Sequence, residues 1–213
     1  MAVKKTSVSR RSLNTSETKN KLFSTALMLF TQHGFDKVKV DDIAGFAGVS
    51  KGTFYNHFAT KDEVLVEQFK QIDRYYDQVF RQLKGNEDAA ERMLILAKAM
   101  CDYCEKAWGL NLIKIVYGNQ ISLGKHPEIL LNRQRSLYSI LTDNVTRGRA
   151  EGIFTSAMPV EEQVDRFARG ARSALYEWCL SDGSIDLEKT CRQLFLSIMD
   201  NLRRQEPGKT GDE

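Results

Sequence analysis

Proline is scarce in this sequence. Three prolines in 213 residues leave little to interrupt helices, and they exclude an all-β sandwich, which needs many Gly/Pro turns. Glycine is modest at 14 residues and sits mostly at punctuation points. The same counts exclude collagen-like, disordered and disulfide-scaffold classes. No run reaches the roughly 18 apolar residues of a membrane-crossing helix. The charges near the N-terminus have no apolar stretch behind them, so no signal peptide is expected. The four cysteines, Cys101, Cys104, Cys179 and Cys191, are therefore expected as reduced thiols in a cytoplasmic protein. Three scattered histidines suggest neither a catalytic triad nor a metal site, and no phosphate-cradling glycine loop is present. The expectation is a protein that is not an enzyme and carries no cofactor or metal.

What is present is ordinary in amount and uneven in placement. Hydrophobic residues are 42% and charged residues 28%, enough to build a proper core. Net charge is +3, but residues 1–60 hold nine Lys/Arg against four Asp/Glu. The remaining 153 residues hold twenty-two against twenty-four. A basic first quarter on a nearly neutral body points to one end that meets an anion.

Helical spacing of apolar residues predicts about nine helices. Residues 1–15 read as a flexible basic arm (Lys4, Lys5, Arg10, Arg11). A first helix is expected over 16–33, ended by Gly34 in a left-handed conformation with Phe35 folding back. Two short helices follow, 41–47 and 51–58, separated by Gly48-Val49-Ser50, with Ser50 as N-cap of the second. Thr60-Lys61-Asp62-Glu63 has the form of a capping box opening a helix to about residue 83. Further helices are expected over 87–106, over 108–123 with interruptions, from Pro127 to about 151, from Pro159 to about 180, and over 186–204. Residues 206–213 read as a polar tail.

A helix followed by two short helices around a three-residue, glycine-containing turn is a helix-turn-helix layout. Ile43, Phe54 and Phe58 are expected to face Leu22, Ala26, Phe30 and Phe35. That leaves Lys51, Thr53, Tyr55, Asn56 and His57 outward. A cation, two hydroxyls, an amide and an imidazole suit phosphate and base-edge contacts.

The strings Leu29-Phe30-Thr31-Gln32-His33-Gly34-Phe35, Val40-Asp41-Asp42-Ile43-Ala44, Ala47 through Phe58 (Ala-Gly-Val-Ser-Lys-Gly-Thr-Phe-Tyr-Asn-His-Phe) and Lys61-Asp62-Glu63-Val64-Leu65 resemble the DNA-binding domain of TetR-type transcriptional regulators. The likeness covers about residues 17–66. It implies that residues 51–57 form the recognition helix, with Thr53 and Asn56 reading bases. It implies phosphate contacts from Tyr55, His57 and Lys61, a close DNA approach at Gly52, and a cap at Ser50. Lys39 stands where the family commonly has Thr, exchanging a capping hydroxyl for a cation near phosphate.

The resemblance also implies an architecture. An all-α chain would divide into a three-helix DNA-binding domain at 16–62 and a helical ligand-binding and dimerisation domain at 63–205. It implies a homodimer on double-stranded, palindromic DNA, acting as a repressor that an unidentified small molecule releases. Candidates for the dimer interface are Phe167, Gly170, Ala171, Ala174, Leu175, Phe195, Ile198 and Leu202. Candidates for the ligand pocket are Tyr103, Trp108, Tyr117, Tyr138, Phe154 and Trp178. Cys101-x-x-Cys104 lies on one face of a predicted helix and reads as core packing. A redox-sensing regulator using Cys101 and Cys104 is the alternative, and a helical interaction protein without DNA binding is a weaker one. Lys114, Arg133 and Arg135 are cations that can attract an anion, with a solvated helix face as the default.

Overall fold

The computed structural model describes residues 10–122 and 129–204. The arm at 1–9, the helix start expected at Pro127 and the tail at 206–213 lie outside them. Among the described residues the chain folds into nine α-helices. They are α1 (Arg10–His33), α2 (Val40–Phe46), α3 (Lys51–Tyr55), α4 (Glu63–Arg81), α5 (Ala89–Tyr103), α6 (Gly109–Ser122), α7 (Ser136–Ala150), α8 (Val160–Leu180) and α9 (Leu187–Arg204). The chain divides into two compact units, Met1–Gln68 and Phe69–Glu213, with α4 continuous through the boundary.

The first unit is built from local signals. Gly34 takes φ +85° and Phe35 folds onto Phe30, ring centroids 4.8 Å apart. After α2, the Val49 amide donates to the Ala44 carbonyl and the Gly48 amide to Gly45, both at 3.0 Å. Gly48 sits at φ +69°. This two-bond closure satisfies carbonyls that α2 leaves open, and its left-handed residue favours glycine. Ser50 then caps α3, its Oγ accepting the Thr53 amide at 3.1 Å. Ile43, Phe54 and Phe58 are buried with Leu22, Ala26 and Phe30, the inward set expected from spacing.

In this unit three boundaries differ from expectation by three residues or more. The first helix begins by Arg10, so part of the expected arm is helical. The helix expected over 51–58 ends at Tyr55, with Asn56 as C-cap and a turn carrying the chain to buried Phe58. The helix expected from Thr60 begins at Glu63, whose carboxylate takes the amide of Ala59 at 2.7 Å. The expected reach was to Thr60.

The second unit packs α5, α7, α8 and α9 around Phe154, Phe167 and Phe195. Phe167 stands 6.1 Å from Phe154 and 5.3 Å from Phe195, centroid to centroid. Asp88 caps α5 in a reciprocal box: its Oδ1 takes the Glu91 amide at 2.8 Å, and Glu91 Oε2 takes the Asp88 amide at 3.0 Å. The expected helix over 87–106 loses its α register at Tyr103, where Cys104–Trp108 forms a π-helical turn before α6. In place of a helix running from Pro127, a 3-10 turn occupies Ile129–Leu131 and α7 starts at Ser136. The side chains that hold this start come from distant parts of the chain and are described below.

Candidate nucleic-acid interface and ligand cavity

In α3, buried Phe54 alternates with an outward set. Lys51, Gly52, Tyr55 and Asn56 are exposed, while Thr53 and His57 are half-buried. Tyr55 keeps about half of its surface in solvent, at 49%, and meets Phe54 edge-on at 5.6 Å. Lys51 donates to Asp41 at 2.8 Å with both side chains largely exposed. That hydrogen bond and the carboxylate's charge raise the lysine's pKa, keeping it a cation. The Thr53 hydroxyl lies 2.9 Å from Ser50 Oγ, so cap and candidate base reader are held together.

Lys39 precedes α2. It has no side-chain acceptor to offer, and the helix end uses the other half of the box: its amide donates to Asp42 Oδ2 at 2.8 Å. Lys61 departs most from a free phosphate contact. Its ammonium donates to the Phe35 carbonyl at 2.6 Å and the Val38 carbonyl at 2.9 Å, over the Phe35 ring at 4.1 Å. Burial lowers its pKa. Lys61 therefore ties the loop after α1 to the start of α4, with one N–H left over. An exposed aromatic that sequence reasoning passed over is Phe46, at 69% exposure near the C-terminal end of α2.

In the second unit, Phe69, Ile72 and Tyr76 of α4 face Trp108, Tyr117, Ala168, Ala171 and Arg172 across a cavity of about 40 Å³. Of the six pocket candidates, Trp108 and Tyr117 line it. Tyr117 donates to the Arg172 carbonyl at 2.8 Å. Tyr138 stands behind the wall, its hydroxyl accepting from Arg172 Nη1 at 3.1 Å. Tyr103 stacks on Tyr75 at 5.0 Å. Phe154 is buried in the aromatic core against Phe167, and Trp178 is buried near Gly183.

The three candidate cations are all engaged by aspartates. Lys114 pairs with Asp182, Arg133 with Asp165 at 2.6 Å and Arg135 with Asp73 at 2.9 Å. Arg135 is nearly enclosed, at 9% side-chain exposure, and lies over the Phe69 ring at 4.6 Å. Next to it, Ser136 donates to Asp77 at 3.3 Å. Asp73 and Asp77 are one helical turn apart, so the start of α7 grips α4 at two successive positions. These pairs, 62 and 59 residues apart, leave no local sequence signal.

Seven of the eight interface candidates are buried within a single chain, with Phe167, Ala174 and Leu202 fully enclosed. Ile198 is half-buried. A Cβ on Gly170 would stand 2.9 Å from Ile198 Cδ1, so this small residue serves the close approach of α8 and α9. On the same helices, Tyr176, Leu180 and Leu196 are the large apolar side chains left exposed.

Cys101, Cys104 and Cys191 are buried. The neighbouring Cys191 thiol and then burial push Cys101 well up, and burial pushes Cys104 up. Both effects disfavour the reactive thiolate. Among the described residues, no group of three or more His, Cys, Asp or Glu side chains is arranged to hold a metal. No described helix is long and apolar enough to cross a membrane.

Residues 22–67, the helix-turn-helix just described, match the model of the bacterial regulatory proteins, tetR family. In this segment the chain is similar to the TetR family of bacterial regulators. The TetC protein of transposon Tn10 from Escherichia coli is 39% identical over 66 residues, 29% of this chain and 34% of that protein. The chain thus matches about a third of that relative's length. The transcriptional repressor KstR2 of Mycobacterium tuberculosis is 22% identical over 88% of this chain and 94% of its own. FadR from Bacillus subtilis, solved in complex with stearoyl-CoA, superposes with a TM-score of 0.69 at 19% identity. That superposition covers 84% of this chain and 97% of FadR, which shows a shared fold through both units.

Proposed function

We propose that this chain is a transcriptional repressor of the TetR family. It binds a palindromic DNA operator as a homodimer and is released by a small molecule taken up in the second unit. The observation that carries this reading is the outward set of α3. Phe54 and Phe58 anchor the helix, while Lys51, Gly52, Tyr55 and Asn56 stay exposed. Thr53 and Asn56 read base edges, Lys51 reaches a guanine edge or a phosphate, and Tyr55, His57 and Lys39 hold the backbone. Lys61 contributes its remaining N–H to phosphate while bracing the loop. One α3 reads few bases, so two joined copies read half-sites at the dimer's spacing. Tyr176, Leu180 and Leu196 offer the exposed apolar surface for that pairing. The buried residues first named for it supply the close packing of α8 on α9 beneath.

A repressor named KstR2 and a FadR holding stearoyl-CoA share the fold, which supports a ligand-responsive role. The cavity borders α4, and α4 runs unbroken to Glu63. A ligand that binds one conformer of α4 better shifts DNA affinity by that difference in affinity and no more. The raised thiol pKa values of Cys101 and Cys104 favour this reading over oxidant sensing.

The test is selection of bound duplexes from random DNA at moderate salt, with Tyr55→Ala alongside. An enriched palindrome lost in the variant is the expected result. No enrichment, with or without cell extract supplying a missing ligand, overturns the reading.

A further inference from the structure

Two residues that line the cavity carry donors that no carboxylate among the described residues meets. Trp108 is 9% exposed, and its indole N–H is fully enclosed with no hydrogen-bond acceptor. A buried donor left unsatisfied is costly, so this indole N–H calls for an acceptor that the surrounding side chains do not supply. Arg172 projects from α8 to the same cavity. Its partners among the described residues are neutral oxygens, the Tyr138 hydroxyl at 3.1 Å and the Leu130 carbonyl at 3.4 Å. Among the described residues no carboxylate pairs with it. This contrasts with Arg135 on the same wall, which Asp73 already neutralises. The rest of the lining is almost wholly apolar.

We infer that the second unit takes a carboxylate with an apolar body. The carboxylate sits on Arg172 with the Trp108 indole N–H as second donor, and the apolar body lies between α4 and α8. This rests on the proposed function only in calling the ligand an effector. A charge-assisted contact in a site that excludes water is stronger than a neutral one, so the carboxylate is preferred over its neutral amide. The cavity of about 40 Å³ holds about three waters at most. A ligand must therefore enlarge it, and Phe69, Ile72 and Tyr76 of α4 form one of the walls that yields.

The experiment uses the full chain carrying Trp178→Phe, so that Trp108 is the sole indole reporter. Octanoate and 4-phenylbutyrate are titrated against octanamide and 4-phenylbutyramide, with fluorescence and calorimetry as readouts. At least one acid is expected to bind about tenfold or more tightly than its amide, the size of one charge-assisted contact. Arg172→Gln should bring acid and amide within about twofold while leaving the amide's affinity intact, since the apolar contacts remain. Arg172→Lys should keep part of the preference. The inference is overturned if neither acid binds, if the amides bind as tightly, or if the preference survives Arg172→Gln. Should the Gln variant not fold, the acid-to-amide ratio in the parent chain and the Lys variant decides. No DNA is present, so failure to select an operator and failure to prefer acids are separate results.

Discussion

Two ion pairs, one in each unit, are built in opposite ways. In the first unit, the ion pair at the start of α3 lies in the open: Lys51 and Asp41 keep 52% and 62% of their side-chain surface. In the second, Arg135 and Asp73 keep 9% and 13%. An exposed pair contributes at most about 1 kcal/mol and exchanges partners readily. A buried one holds geometry, because either partner alone would be a stranded charge. On the proposed function, the first arrangement lets Lys51 trade Asp41 for a phosphate. The second keeps α7 fixed against α4 beside the cavity. Arg172 stands between these cases, half-buried and with no carboxylate partner among the described residues.

The sharpest way to break the contrast is to remove one buried partner. Asp73→Ala should cost about 3–5 kcal/mol in urea unfolding, since Arg135 is left enclosed and uncompensated. Adding Arg135→Met should recover most of that loss, and no recovery would mean that the pair is not what holds α7. In the first unit, Asn56→Ala or Thr53→Ala should change preference by about 1–3 kcal/mol at one or two operator positions, read by repeating the duplex selection. Equal weakening at every position would move these residues to backbone contacts. Lys61→Met should cost about 1–2 kcal/mol of stability through the lost bonds to Phe35 and Val38, seen as a lower melting temperature. An unchanged melting temperature with uniformly weaker DNA binding would make Lys61 a phosphate contact only. Smallest of all, Asp41→Asn should change stability by less than about 0.5 kcal/mol and leave DNA affinity equal or slightly higher, measured at two salt concentrations.

Legibility in the sequence tracks how local each cause is. Gly48, Val49 and Ser50 set the turn and the cap within six residues, using bonds that only left-handed glycine and a short hydroxyl side chain make. The inward and outward faces of α3 followed from spacing alone. The cavity was half legible: aromatics were named, but only Trp108 and Tyr117 reach it, because periodicity says which face of a helix is apolar and not which neighbour it meets. The interface candidates show the same limit. Small and large apolar residues on α8 and α9 signal close packing, and the same pattern serves a fold's interior and a dimer seam equally well.

By itself, then, the sequence determined the all-helical class, the helix-turn-helix with its outward side chains, and most helix boundaries in the first unit and at α8 and α9. Those features depend on bonds between residues a few positions apart. Tertiary structure alone decided the π-helical turn after Tyr103, the late start of α7, the grip of Arg135 and Ser136 on α4, and the placing of Trp108 and Arg172 on one cavity. Each of these joins residues brought together by packing, where burial turns a weak surface charge or an indole N–H into a group that must find a partner.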